Sequence, residues 1–394
     1  MNGYRGQNST GFSPEFELLL YCARTVPDSP RIHTLIDAGI NWRSFFQMAA
    51  THSVRLILYQ SLRAVCWERV PSNIRRDWDG AYRSLTAQNL FITGELLRIV
   101  KVFESAKIPV AALKGPVIAQ IAYGDFALRE FSDLDLLISE ADFSRAMDRL
   151  QQLGYTPFWN YDHKRVVSFL RHVGEFRLTN ETTRAEIDLH WRVATKATAL
   201  SPRISDFPAG WQQPVCVASA PIMSFALQDL PLYLAAQGGW DRWRDLRRIC
   251  DVAEFLRRNP KIAWEHSFVI ARRLGGERSL LTGLALARNL FGAQIPESLE
   301  EQIRLDKVVP ELTATAIQGL QKNNPSEGEA VGRYLFQLRA KRGLRGKLAL
   351  AKSIVMDRTT EDGSWIMLPR PLWWLYGFLR PLRMSRKMLN RTET

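Results

Sequence analysis

Asp133 and Asp135 lie two residues apart inside the apolar run of residues 131–138. On a strand, alternate side chains share a face, so these two carboxylates point one way while Leu134 and Leu136 point the other. Like charges held that close repel, and burying either without a partner is costly. A divalent cation removes the difficulty, and oxygen-only ligands favour a hard ion, Mg²⁺ or Mn²⁺, over zinc. The competing reading is an exposed strand edge carrying two solvated aspartates.

The flanking sequence favours the cation site. Residues 108–113 read as a short apolar strand, followed by Lys114-Gly115-Pro116 and a helix over residues 117–123. Gly115 would let backbone N–H groups approach an anion, the following helix start would add its dipole, and Pro116 suits a first helical position. Lys114 supplies a positive charge for phosphate; on its own, Lys-Gly is only a turn. Downstream, residues 173–179 and 185–193 read as two strands joined by the polar turn 180–184. Within the second, Glu186, Asp188 and His190 share a face. A third carboxylate on a neighbouring strand is what a two-metal phosphoryl-transfer site requires. Asp188 is placed either on the second ion or as a base. His190 is placed on substrate or phosphate, against a purely structural role.

Gly115, then Asp-x-Asp, then a later strand aspartate resembles the order of motifs in the polymerase-β-like nucleotidyltransferase superfamily. More closely, the chain resembles a bacterial group of uncharacterised nucleotidyltransferases. The resemblance rests on Leu113-Lys114-Gly115, Tyr123-Gly124-Asp125, Arg129 ahead of residues 132–138, and Glu186-Ile187-Asp188-Leu189-His190-Trp191. It continues through residues 230–256, including Trp240 and Cys250-Asp251-Val252-Ala253-Glu254, and covers about residues 50–255.

The resemblance implies metal-dependent transfer of a nucleoside monophosphate from an NTP, ATP foremost, to an acceptor that the motifs leave open: a small molecule, peptide, glycan or protein. Asp133, Asp135 and Asp188 would be the catalytic, metal-holding residues. Lys114, Gly115, Arg129 and His190 would bind the nucleotide. Two features depart from the wider superfamily: Pro116 stands where a second small residue usually follows the glycine, and the spacing from Gly115 to Asp133 is longer. Arg129 could replace the missing phosphate contact, or pair with Glu130 or Asp125; both readings stand. The alternative function is a non-catalytic NTP-binding module, regulatory or antitoxin-like, on the same fold.

The expected fold class is α+β: a small mixed sheet flanked by helical regions. Residues 1–105 read as an N-terminal helical region, 106–195 as the nucleotidyltransferase core, 196–330 as a C-terminal helical domain, and 331–394 as a basic, aromatic-rich extension. In the core, a helix over about 140–153 ends at Gly154, a C-cap glycine. One further short strand is expected at residues 215–221. In the second helical region, Trp240 or Trp243 could stack on a base and Arg244 or Arg247 could contact phosphate; packing of the tryptophans is the competing role. Asp251 is expected either in helix pairing or in catalysis.

The net charge of +13 looks at first like a nucleic-acid signature, but it is localised. Residues 331–394 hold 14 Lys/Arg against 4 Asp/Glu, so the rest of the chain carries only +3. No RRM, KH or helix-turn-helix pattern accompanies the basic tail. Residues 369–381 mix aromatics with cations, which suits either an aromatic plug on the protein's own core or peripheral contact with an anionic membrane. Four scattered cysteines form no CxxC pair, which argues against structural zinc or a disulfide framework and fits a reducing cytoplasm. Neither a signal-peptide pattern nor an apolar run of bilayer length is present. Walker, G-x-G-x-x-G and G-x-S-x-G motifs are absent as well.

Overall fold

The computed structural model describes residues 11–157, 174–194, 198–201, 210–321 and 329–356, with Leu368, Leu372, Leu375, Tyr376 and Leu379. The N-terminal helices are α1 (Pro14–Cys22), α2 (Ser29–Asp37), α3 (Trp42–Thr51), α4 (Arg55–Val65) and α5 (Ser72–Ser105). Short polar side chains start the first three: Ser13, Asp28 and Asn41 each accept from a backbone N–H three residues on, satisfying donors that a helix start leaves orphaned. Helix α5 follows Pro71 without interruption for 34 residues. Its buried row is Ile92, Leu96, Ile99 and Phe103, at helical spacing, whereas Leu90 is exposed.

The sheet comprises β1 (Val110–Ala112), β2 (Asp133–Ile138), β3 (Tyr155–Pro157), β4 (Glu175–Asn180) and β5 (Glu186–His190). Its spatial order is β1-β2-β5-β4-β3. Strand β2 is parallel to β5, and every other pairing is antiparallel. A mixed sheet with helices on its flanks is the α+β class. Between β1 and β2 the chain forms α6 (Pro116–Ile118), continued as a π turn over Ala119–Tyr123 and stopped by left-handed Gly124. Helix α7 (Phe143–Gln152) connects β2 to β3.

Glu95 of α5 ties the long helix to this sheet. Its carboxylate accepts the Tyr155 hydroxyl at 2.7 Å and both arms of the Arg98 guanidinium at 3.0 and 2.7 Å. Burial pushes this carboxyl up, but the Arg98 and Tyr155 hydrogen bonds outweigh it and leave it below the usual glutamate value. A depressed folded-state value stabilises the fold above the unfolded pKa of about 4.3 and loses that contribution as pH falls through the folded value. The urea midpoint of Glu95→Gln is therefore expected to fall short of wild type at pH 6 and to converge on it toward pH 3.

Residues 212–225 depart from the single strand expected at 215–221. They form a hairpin, β6 (Gln212–Val217) with β7 (Ala220–Phe225). Its turn residues Ala218 and Ser219 both have positive φ, 46° and 69°. Such turns are usually marked by Asn-Gly, so the Ala-Ser pair hid this one. Strand β7 lies against β1, and the Ser224 hydroxyl donates to the Ala112 carbonyl at 2.8 Å. The hairpin thus extends the wall beside the core sheet.

Helices α8 (Leu230–Trp240), α9 (Leu246–Arg258), α10 (Trp264–Arg273), α11 (Glu277–Phe291), α12 (Glu297–Leu305), α13 (Val308–Gln321), α14 (Glu329–Ala340) and α15 (Leu344–Met356) follow. Trp243 is wholly buried in a slot made by two glycines. A Cβ on Gly238 or Gly283 would lie 2.3 or 2.5 Å from its ring, so the indole fills space that any larger residue would occupy. It therefore packs between helices and cannot stack on a base. Trp240 lies beside Tyr334 and under the Arg333 guanidinium. No helix among the described residues is long and apolar enough to cross a membrane. Most of the segment 369–381, and with it the choice between plug and membrane contact, lies outside the described residues; Tyr376 within it is buried.

Candidate active site

Strand register assembles the site. Asp135 of β2 is directly across from Asp188 of β5, and Asp188 is across from Arg177 of β4. Three strands therefore present Asp135, Asp188 and Arg177 in one row on one face. Asp133 lies across from Glu186 in the next row. His190, two residues beyond Asp188, reaches back so that its Nε2 is 2.9 Å from Asp135 Oδ1. Ligand atoms of Asp135, Asp188 and His190 all lie within 4.8 Å of one another.

Asp135 is the centre of the cluster and is only 2% exposed. Lys114, at the end of β1, donates to its Oδ1 at 2.7 Å. Its other oxygen, Oδ2, is buried and has no hydrogen-bond partner among the described residues. An unpaired, buried carboxylate oxygen beside two further carboxylates costs free energy unless something positive meets it. The Asp135, Asp188 and His190 donors and this orphaned oxygen fit a divalent cation.

The carboxylates differ electrostatically. Burial pushes Asp135 up, yet Lys114 and His190 overcome it and hold its carboxyl well below the usual range. Burial raises Asp133, and the charges of Asp135 and Asp188 raise it further against Lys114 and Arg247. His190 is pushed down by burial but raised on balance by Asp135 and Glu175. Neighbouring carboxylates are thus pushed in opposite directions, Asp135 down and Asp133 up.

Gly115 makes the turn from β1 into α6 at φ 60° and ψ −124°, a conformation accessible essentially to glycine. A Cβ there would sit 3.5 Å from the Asp133 carbonyl oxygen, so the glycine also lets the loop pass close over the start of β2. Lys114 and Gly115 therefore lie beside the carboxylates. The Lys114 ammonium is directed to Asp135.

Arg129 lies elsewhere. Its guanidinium forms a buried, two-pronged pair with Asp251 of α9, at 2.8 and 2.9 Å, and the Tyr123 hydroxyl donates to the same carboxylate at 3.0 Å. The paired carboxylate is that of neither Glu130 nor Asp125, although Arg129 Nη1 also donates to the Glu130 carbonyl at 3.5 Å. Glu130 is held instead by Arg55, at 2.7 Å. Asp251 accordingly takes the helix-pairing role. Arg247 of α9 donates to the Glu130 carbonyl at 2.8 Å and to Asp245 at 3.0 Å. Its charge reaches Asp133 and works to lower that carboxyl.

Arg177 escaped the sequence reading. It forks onto both oxygens of Asp188 at 2.8 and 2.9 Å. Its place in a strand was legible, but the register that sets it against Asp188 was not.

A small mixed sheet with Asp-x-Asp on one strand and a third aspartate across the ladder is the ground plan of a nucleotidyltransferase. The chain belongs to the family of uncharacterised nucleotidyltransferases, whose model matches residues 38–292, and it is a nucleotidyltransferase enzyme. It has no match among curated proteins. Two solved structures are similar over part of it. The lincomycin-bound lincosamide antibiotic adenylyltransferase LnuA shares 14% identity over 35% of this chain and 83% of its own, with a TM-score of 0.26. The antibiotic-resistance factor ANT(2'')-Ia shares 14% identity over 55% of this chain and all of its own, with a TM-score of 0.28. Likeness this loose transfers nothing about substrate.

Proposed function

We propose that the protein is a Mg²⁺-dependent nucleotidyltransferase that moves a nucleoside monophosphate from an NTP, ATP foremost, to an acceptor hydroxyl or phosphate. The observation that carries this reading is the buried, unpartnered Oδ2 of Asp135 beside Asp188 and His190. Asp133, Asp135 and Asp188 would hold the cation, which when bound would neutralise the triphosphate and favour ionisation of the acceptor. Lys114 and His190 hold Asp135 ionised and in one orientation, so the carboxylate need not reorganise on loading. In the reaction the acceptor oxygen bonds to the α-phosphorus, pyrophosphate leaves, and the acceptor proton is lost. Arg247 extends from the helical region toward this face and would line the nucleotide or acceptor side.

The test is incubation of pure protein with α-phosphate-labelled ATP, CTP, GTP or UTP, Mg²⁺ and an extract of its host. Label should pass to an acceptor with wild type and fall to background with Asp133→Asn or with EDTA. Equal labelling by Asp133→Asn would sink the assignment. Mg²⁺-dependent NTP binding without transfer would support the binding-module alternative instead.

A further inference from the structure

The cations around the two central carboxylates are not equivalent. Lys114 and His190 share a single oxygen of Asp135, leaving Oδ2 without a partner. Arg177, by contrast, takes both oxygens of Asp188. A cation can therefore meet Asp135 with its protein partners in place, but any cation that reaches for Asp188 meets a guanidinium already forked across it. Two positive groups on one carboxylate repel strongly this close to a buried wall.

Arg177 is also the group free to leave. Its side chain is 43% exposed, whereas that of Asp188 is 15% exposed. A cross-strand pair of this kind contributes only about 0.2–1 kcal/mol to a sheet, so the fold does not require it. Its guanidinium presents a planar set of donors that matches phosphate oxygens as well as carboxylate oxygens. Glu186 and Asp133 lie one row away on the same face, which keeps the neighbourhood attractive to a cation.

Resting on the nucleotidyltransferase reading above, we propose that Arg177 is a triphosphate-binding residue held in reserve on Asp188. A divalent cation competes with it for that carboxylate, and the displaced guanidinium pairs with a phosphate of the incoming NTP. Cation and nucleotide then favour one another: the cation releases the arginine, and the phosphate keeps it away. No covalent bond is made or broken in this exchange.

Full-length wild type, Arg177→Gln and Arg177→Lys would be titrated with Mn²⁺, following free Mn²⁺ by electron paramagnetic resonance. The titration would be run with and without an α,β-methylene NTP analogue that cannot be cleaved. Loss of a charge-assisted contact shifts an equilibrium by about ten-fold. Arg177→Gln should therefore bind Mn²⁺ about ten-fold more tightly than wild type without the analogue, and bind the analogue about ten-fold more weakly with Mn²⁺ present. Arg177→Lys, which keeps the charge, should restore much of both properties, and matching thermal melts would exclude misfolding. Unchanged or weakened Mn²⁺ binding in Arg177→Gln would overturn the competition, and unchanged analogue affinity would overturn the phosphate assignment. Wild type that bound neither Mn²⁺ nor analogue would overturn the nucleotidyltransferase reading itself, and this inference with it.

Discussion

Asp135→Asn is expected to lower nucleotidyl transfer by about a thousandfold. Asparagine nearly matches aspartate in shape, so the packing around β2 survives. Its amide oxygen can still accept from Lys114 or from His190, as Oδ1 does in wild type. The buried position of Oδ2 would then carry an NH₂ group, which donates where a cation needs an acceptor. The variant therefore removes the cation site while leaving its frame. Repulsion toward Asp133 and Asp188 is relieved in the same change, but the ion pairs with Lys114 and His190 that hold this carboxyl down are lost, so some stability should go with the activity. Initial rates of label transfer, with thermal melts on the same preparations, separate the two. Activity within a few-fold of wild type would mean that the cation is not held at Asp135.

The second large effect concerns stability. Asp251→Leu is expected to destabilise the fold by about 3–5 kcal/mol, because it strands the buried Arg129 guanidinium without its counter-ion. The Tyr123 hydroxyl loses its acceptor at the same time. The double variant Arg129→Met with Asp251→Leu should recover most of that loss, since no uncompensated charge remains and the site is otherwise enclosed. Urea midpoints of both singles and the double measure this coupling directly. A single variant as stable as wild type would show that the pair does not hold α9 to the segment ahead of β2. Transfer by the double variant should follow its stability, because the two residues bond to each other and not to the carboxylate row.

Much of the site was legible locally. The period of two along a strand was enough to place Asp133 with Asp135, and Glu186 with Asp188 and His190, before any contact was known. Gly115 ahead of a helix start was equally readable, and the structure shows the glycine-only backbone that the turn requires. The helical flanks followed from apolar periodicity.

Other features depended on which segments meet. The hairpin of residues 212–225 was read as one strand because Ala218 and Ser219 adopt positive φ without the residues that usually advertise it. Arg129 was open to a nearby acid or a phosphate, but its partner lies 122 residues away on a helix whose docking no local pattern encodes. Arg177 alternated correctly along its strand, yet only the antiparallel pairing of β4 with β5 brings it to Asp188.

The sequence by itself thus determined the elements, the faces their side chains occupy and the chemical kinds of group on each face, because backbone geometry sets those over a few residues. Only the tertiary structure decided that β2 runs parallel to β5 with Asp135 opposite Asp188, that one oxygen of Asp135 stays unpaired, and that Arg129 is spent on Asp251. Strand register and helix docking are chosen by burial of the whole core. They therefore belong to no single segment of the chain.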